Sequence, residues 1–234
     1  KSVLHLQCNS GQDTLSIKQL GAERVVGVDI SDEAIYFARN LSKDSGVEAT
    51  FHRTDVYDWL AEAARSEERW DIVFCSYGAI IWLSDLGTWA KGIASILKPG
   101  GRFVTVEFHP VEMMFDEEYR HKHHYSTHGA PITWDDGVGD YVALSGPHDA
   151  PMGWLDGVKD FQNPEIVHEF AWGVGEVITA LLDAGLVIEH FREYEYATSK
   201  IFNRMVQIPE RKWTLPPDVP SMPLMYSITA RKPE

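Results

Sequence analysis

The chain has 234 residues, with 35 acidic against 21 basic side chains and a formal charge of −14 with histidine neutral. So acidic a balance works against polyanionic partners, because each phosphate contact needs a Lys or Arg to displace counterions; nucleic acid and anionic membrane surfaces are not expected. At 44% hydrophobic and 24% charged the composition is that of a globular protein, and the longest apolar run, residues 77–83, falls far short of the roughly 18–20 residues that span a bilayer.

Only Cys8 and Cys75 carry thiols, each beside an apolar run, so no disulfide framework is expected and a reducing, cytoplasmic compartment is. No basic segment followed by an apolar stretch opens the chain, which starts at Lys1 directly in a strand-like run. That start predicts further residues upstream, among them an N-terminal lid.

Apolar, β-branched segments alternate with segments of helical period, the pattern of βαβ units in a parallel sheet. A strand over 2–6 leads through a polar turn to a helix over 13–20, which Gly21 ends; a second strand over 24–28 ends at Asp29. Ser31 offers an N-cap, Asp32 and Glu33 load the first turn with negative charge, Ala34, Ile35, Ala38 and Leu41 form the apolar face, and Gly46 ends the helix. Strands follow over 47–52 and 71–75, then a helix over 86–97 and an abrupt turn at Lys98, Pro99, Gly100 and Gly101 before a fifth strand over 102–108. The rhythm breaks over 111–170, which reads as a loop-rich insertion, and resumes with a helix over 174–186 and strands over 187–196 and 224–230, separated by a proline-rich excursion. The expected fold is one α/β domain. Its doubly wound seven-stranded sheet is mostly parallel with an antiparallel terminal hairpin, and residues 1–110 form one half, 111–170 a cap and 171–234 the closing helix and hairpin.

Ligands of open α/β sheets lie beyond the carboxyl ends of the strands. The first tip, Gln7, Cys8, Asn9, Ser10 and Gly11, opens onto a helix N-terminus that favours an anionic group. The second is Asp29 with Ile30, about 20 residues past the first turn, where an acid commonly accepts ribose hydroxyls. Asp55 and Val56 at the third tip, with Tyr57, Asp58 and Trp59, offer an edge and a face for an adenine ring, and the fourth holds Cys75, Ser76, Tyr77 and Gly78, followed by Ile81 and Trp82. Each also has a structural reading: Asp29 as the N-cap of the next helix, Trp59 and Trp82 as core packing. Their order and spacing make the joint reading stronger than its parts.

These residues resemble the class I S-adenosylmethionine-dependent methyltransferases, whose fold is Rossmann-like. Residues Val3 to Gly11 align with that family's first motif, Gly27-Val28-Asp29-Ile30-Ser31 with its ribose-binding second, Thr54-Asp55-Val56 with its adenine-binding third, and Leu97 to Phe103 with its turn into the fifth strand. Gln7-Cys8 followed by Gly11-Gln12-Asp13-Thr14-Leu15 is similar to bacterial small-molecule members. The resemblance implies S-adenosylmethionine as cofactor and S-adenosylhomocysteine as product, with no metal. It implies that the first loop wraps the methionine part, Asp29 holds the ribose, and Asp55 meets the adenine amino group beside the Val56 backbone. The chain departs from the family in having His5 where most members have an acid, and Gln7 and Asn9 where they have glycines. A nicotinamide-dependent oxidoreductase is the competing reading, but the full G-x-G-x-x-G fingerprint is absent; a non-catalytic module that binds the same cofactor is another.

Methyl transfer asks the protein for alignment, a dry pocket and, where the acceptor carries a proton, a base. His109 beyond the fifth strand is the first candidate base and Tyr77 the second, while a strand-end histidine can equally bond a neighbouring carbonyl. Glu107, within the strand, reads as structural or cofactor-side. The acceptor is expected to be a small molecule methylated at oxygen or nitrogen, aromatic or amine-containing, and met by Trp82, Met113, Trp134 and Trp172. The insertion adds Met114, Phe115, Tyr119, Tyr125 and Trp154 as pocket walls or as a satellite core. His121, His123, His124 and His128 match no closed zinc spacing, so no metal site is expected. Residues 111–170 carry 12 acidic and 3 basic side chains, −9 of the total charge, which could attract a cationic amine or simply keep the surface soluble.

Overall fold

The computed structural model describes residues 1–140, 158 and 160–234. Its elements begin with β1 (Ser2–Leu6), α1 (Gln12–Gln19), β2 (Arg24–Asp29), α2 (Asp32–Ser45), β3 (Thr50–Arg53), α3 (Val56–Arg65) and β4 (Trp70–Ser76). A 3-10 turn over Ile80–Trp82 leads to α4 (Leu86–Ile96), β5 (Leu97–Phe108), α5 (Pro110–Met113), β6 (Ile132–Trp134) and β7 (Val167–Glu169). The remainder comprises α6 (Val174–Asp183), β8 (Val187–Tyr194), β9 (Tyr196–Ala197), β10 (Val206–Ile208), β11 (Lys212–Thr214) and β12 (Met225–Arg231).

Seven strands form the main sheet in the order β3-β2-β1-β4-β5-β12-β8. The pairs β3/β2, β2/β1, β1/β4 and β4/β5 are parallel, and only β12 runs against its neighbours. The two closing strands are antiparallel partners, as expected of a terminal hairpin, with β12 slotted inside and β8 at the edge. The chain builds outward from β1 in one direction and then from β4 in the other. That reversal opens a crevice beyond the carboxyl ends of β1 and β4, where four of the sequence-marked tips converge.

Both faces of the sheet are covered, which is why its strands read as nearly continuous apolar runs. Leu4, Leu6, Val26, Val28, Val73 and Phe103 point to one side and pack on Leu60, Trp89, Ile93, Val177 and Leu181 from α3, α4 and α6. On the other side Leu15, Ile35 and Ala38 of α1 and α2 meet Phe51 and Cys8. Further along that face Val106 and Phe108 support a separate three-stranded sheet, β10-β11-β9, with its own core of Phe202, Met205, Leu215, Leu224 and Met225. Among the described residues no helix is long and apolar enough to cross a membrane. Both cysteines are buried free thiols.

Helix caps are formed by side chains, among them the expected one at Ser31. The Ser31 hydroxyl accepts the Ala34 N–H at 3.2 Å, and the Asp85 carboxylate caps α4 through Thr88 N–H at 2.9 Å. Several elements were not anticipated, among them a helix, a hairpin and a strand pair. Helix α3 follows Asp55 immediately, and its Val56, Leu60 and Ala63 have the spacing of a helical face. The hairpin β10–β11 turns through Glu210 and Arg211, both left-handed, without the Gly or Asn that normally announces such a turn. Strands β6 and β7 pair Ile132 with Glu169 across the segment that was read as loop. Trp154 lies outside the described residues.

Close packing of α1 and α2 on the sheet depends on two missing side chains. A Cβ on Gly11 would sit 2.7 Å from Ala38 Cβ, and one on Gly27 would sit 2.7 Å from the Phe51 ring and 2.8 Å from Cys8 Sγ. Gly27→Ala is therefore expected to destabilise by about 1–3 kcal/mol through overpacking. The check is a urea midpoint that falls with an unchanged slope; an unchanged midpoint would mean that Phe51 moves aside freely.

Candidate active site

The loop after β1 is held by side chains rather than by glycines. Gln7 (φ 53°) and Asn9 (φ 47°) are left-handed, as is Gly11 (φ 81°). Asn9 stabilises its own turn by accepting the Ser10 N–H on Oδ1 at 2.6 Å, a local bond that suits Asn to this region. Gln7 Nε2 donates to the Ala79 carbonyl at 2.8 Å, bridging to the loop after β4. The Cys8 side chain is buried with Phe51 in the core beneath α1 and α2, so only its backbone borders the crevice.

Asp29 joins three strand tips. Its Oδ2 accepts the Asn9 N–H at 2.8 Å, its Oδ1 accepts the Ser31 N–H at 2.9 Å, and its carbonyl accepts the Thr54 N–H at 2.9 Å. A carboxylate offers about four lone-pair sites, so two remain for hydroxyl donors. Ile30 beside it is 59% exposed, an apolar surface with no core role. Asp55 is the N-cap of α3, accepting Tyr57 N–H at 2.7 Å and Asp58 N–H at 3.3 Å on Oδ1 alone, which leaves Oδ2 open. The Val56 side chain is buried in the core, and its backbone N–H opens the helix. A ribose and an amino-bearing ring with a methionine tail need acceptors, a helix N-terminus and one apolar face, so these residues fit S-adenosylmethionine chemically.

A buried polar chain links His5 of β1 to the fourth tip. His5 Nδ1 lies 2.8 Å from Thr14 Oγ1 and its Nε2 3.3 Å from Ser76 Oγ, while Ser76 donates to Asp13 Oδ2 at 3.4 Å. Burial pushes His5 down to about 3, so it is neutral near pH 7. Burial raises the Asp13 carboxyl, with the Ser76 bond opposing. Tyr77 is half-exposed and left-handed, and burial and the nearby Asp13 raise its phenol. It therefore stays protonated at neutral pH and can donate a hydrogen bond; it is not a base there.

His109 has both ring nitrogens engaged. Nδ1 accepts the Val111 N–H at 3.2 Å, capping α5, and Nε2 faces Glu193 Oε1 at 3.1 Å, so the proton is on Nε2. Burial lowers its basicity and outweighs Glu193. In this arrangement His109 has no free nitrogen to act as a base.

The group that does face a cavity is Glu107. Its carboxylate accepts backbone N–H groups from Gly78, from Ala79 at 2.9 Å and from Ile80 at 3.1 Å. Burial, the larger effect, pushes it up to about 7 against those three bonds. It is the direct cross-strand partner of Tyr226, and both line a partly enclosed cavity of about 20 Å³ with Phe108, Met113, Phe170 and Trp172. Of the expected acceptor residues, Met113 and Trp172 are brought together here. Trp172 stacks on Phe170 at 6.4 Å and donates its indole N–H to the Leu83 carbonyl at 2.7 Å. Trp82 sits in the 3-10 turn and its neighbours Ile80 and Ile81 line the cavity in its place. Trp134 lies apart on β6, its indole bonded to Glu169 at 2.8 Å and its ring facing His123 and Lys122. Sequence reading missed the convergence on Glu107, which only the β5/β12 register and the turn after β4 create.

The histidines of the cap have separate partners. His121 faces Phe115, His123 faces Trp134, and His128 pairs with Glu176 at 2.9 Å.

A family model of the methyltransferase domain matches residues 3–101. Ribosomal protein L11 methyltransferase of Burkholderia orbicola is 34% identical over 102 residues, 44% of this chain and 30% of that protein. Ubiquinone biosynthesis O-methyltransferase of Xanthomonas axonopodis pv. citri is 34% identical over 100 residues, 43% of this chain and 40% of its own length. The matches thus span well under half of these relatives. An S-adenosylmethionine-dependent methyltransferase of Listeria monocytogenes has the same fold, with a TM-score of 0.65 and 21% identity over 100% of this chain and 90% of that one.

Stability should register the buried acids. Glu107 and Glu112 are raised from 4.5 to about 7 and about 8 by burial, so their contribution is complete below pH 4.5 and is lost as pH rises toward those values. His5, lowered from 6.5 to about 3, acts oppositely, but only below pH 6.5. Between pH 6.5 and 8.5 the acids act unopposed by His5, and unfolding free energy is expected to drop on the order of 2 kcal/mol. Thermal melts of the wild type and Glu112→Gln across that range test this: the variant should show a shallower fall, and parallel curves would exclude Glu112 as a source.

Proposed function

We propose that this chain is a class I S-adenosylmethionine-dependent methyltransferase, a reading supported by the methyltransferase-domain match over residues 3–101 and by the shared fold, and that it transfers a methyl group to oxygen or nitrogen of a small molecule. The observation that carries the cofactor assignment is the Asp29 carboxylate, which orders the loops after β1 and β2 through Asn9 and Ser31 and still has acceptor sites for two hydroxyl groups. In this reading Asp29 holds the ribose hydroxyls. Asp55 Oδ2 and the Val56 N–H meet the adenine edge over Ile30, and the loop from Gln7 to Gly11 with the start of α1 receives the methionine carboxylate.

When bound, the cofactor supplies a methyl group already activated by its sulfonium charge. What this chain's residues add is position and dryness. Gln7 locks the first loop to Ala79, and Glu107 locks Gly78, Ala79 and Ile80, so the acceptor wall is fixed relative to the cofactor loops. Phe108, Met113, Phe170 and Trp172 exclude water from the cavity, and Glu107 is the titratable group that can take a proton there. Soluble, cytoplasmic action on a small acceptor agrees with the acidic surface and the buried thiols. The relatives named for ribosomal protein L11 and for ubiquinone biosynthesis share only the cofactor half with this chain, so neither acceptor is carried over.

Calorimetric titration with S-adenosylmethionine is the test. Asp29→Asn should weaken binding by roughly 10- to 100-fold, the worth of a lost charge-assisted hydrogen bond, with circular dichroism confirming the fold. Unchanged affinity would remove Asp29 from the site, and preferential stabilisation by NAD(P) would overturn the cofactor assignment. Formation of S-adenosylhomocysteine across a panel of phenols, amines, thiols and carboxylic acids then identifies the acceptor atom.

A further inference from the structure

The cavity beside β5 holds two polar groups that the fold does not fully use. Glu107 is 2% exposed and its carboxylate accepts three well-formed backbone N–H bonds, with the Phe108 N–H approaching less directly, which leaves at most one lone-pair site. Tyr226, also 2% exposed, directly opposes it across the β5/β12 register, and its hydroxyl has no hydrogen-bond partner among the described residues. The other side chains lining it are apolar or aromatic, and a volume of about 20 Å³ admits one water-sized group.

We propose that this slot is the subsite for a protonated amine, and that the methyl acceptor carries a primary or secondary ammonium head held between the Glu107 carboxylate and the Tyr226 hydroxyl. The proposal rests on the methyltransferase reading above and adds the acceptor's chemical class. An ammonium head brings up to three donors, which match the free lone pair of Glu107, the phenol oxygen of Tyr226 and the aromatic faces of Phe170 and Trp172. An alcohol can also bridge the two oxygens, donating to Glu107 and accepting from Tyr226, but being neutral it gains neither the ion pair with the carboxylate nor the cation–π contact. A carboxylate or phosphate head would be set against a buried carboxylate. Charge acts in the same direction at long range, since residues 111–170 carry 12 acidic and 3 basic side chains.

Amine binding must ionise Glu107, so it is linked to pH. The other titratable groups around it are Cys75 on β4 and Tyr226 on β12, both raised by burial and neutral, with His109, lowered by burial, and Tyr125 beyond Tyr226. Glu193 lies on the far side of His109. A simple amine stays protonated across pH 6–8, so its affinity should follow ionisation of Glu107 and rise about tenfold over that range.

The experiment is calorimetry on the whole chain with benzylamine against benzyl alcohol, and separately with S-adenosylhomocysteine. Benzylamine is expected to bind at least tenfold more tightly than the alcohol, with affinity rising from pH 6 to pH 8. Glu107→Gln should erase the preference. Tyr226→Phe, which leaves the three backbone bonds of Glu107 in place, should weaken the amine several-fold, and it decides the matter if Glu107→Gln does not fold. Equal affinities, or an amine preference that survives both variants, would overturn the proposal and leave the slot as a structural water site. Benzylamine binding without S-adenosylhomocysteine binding would sink the methyltransferase reading and keep the amine site; the reverse would keep that reading and sink the amine site.

Discussion

Three backbone N–H groups of the turn after β4 end on one buried carboxylate, that of Glu107. Tyr77 and Gly78 are both left-handed, so the chain doubles back and aims Gly78, Ala79 and Ile80 inward, where water cannot satisfy them. Each buried donor left unpaired would destabilise by about 1–3 kcal/mol, so the turn exists only because an acceptor stands opposite. The arrangement has the character of an anion-binding nest closed by the protein's own acid. Because Glu107 belongs to β5 and Tyr226 of β12 stands beside it, the same contact joins the parallel part of the sheet to its antiparallel end and to the cavity that both residues line.

A continuous polar line runs along the strand ends from there. Glu107 fixes the turn containing Ala79, Ala79 receives Gln7, and two residues further along the first loop Asn9 donates to Asp29, whose carbonyl receives Thr54. The tips of β5, β4, β1, β2 and β3 are thereby held in one frame. Gln7 and Asn9, which depart from the glycines usual in such a loop, are the residues that make the cross-links. A glycine would adopt the same left-handed backbone at lower conformational strain; at position 7 it would lose the side-chain bond to Ala79, whereas at position 9 it would keep the backbone bond to Asp29 and lose only the Oδ1 acceptor for the Ser10 N–H.

The substitution at position 5 has a comparable logic. A carboxylate on β1 would carry charge into a site that is 2% exposed, whereas His5 is held neutral and passes hydrogen bonds between Thr14 and Ser76. The acid in this neighbourhood is Asp13, at the start of α1. Polarity is retained while the buried charge moves toward the crevice.

Alternation of apolar and amphipathic segments was enough to determine the seven-stranded sheet and to mark the strand tips at Gly11, Asp29 and Asp55, because local period and punctuation act over short stretches of chain. Ser31 as cap and Gly46 as stop were legible for the same reason. Helix α3 was not legible as such although Val56, Leu60 and Ala63 have its period, because the Asp55 that caps it reads equally well as a ligand group at a strand tip. The tertiary structure alone decided which groups share a cavity. His109 looked like a base by its place after β5, but packing turned both of its nitrogens into internal bonds, while Glu107, inconspicuous inside a strand, was brought against Tyr226 from more than a hundred residues away. Register and burial are properties of paired strands, and no single segment contains them.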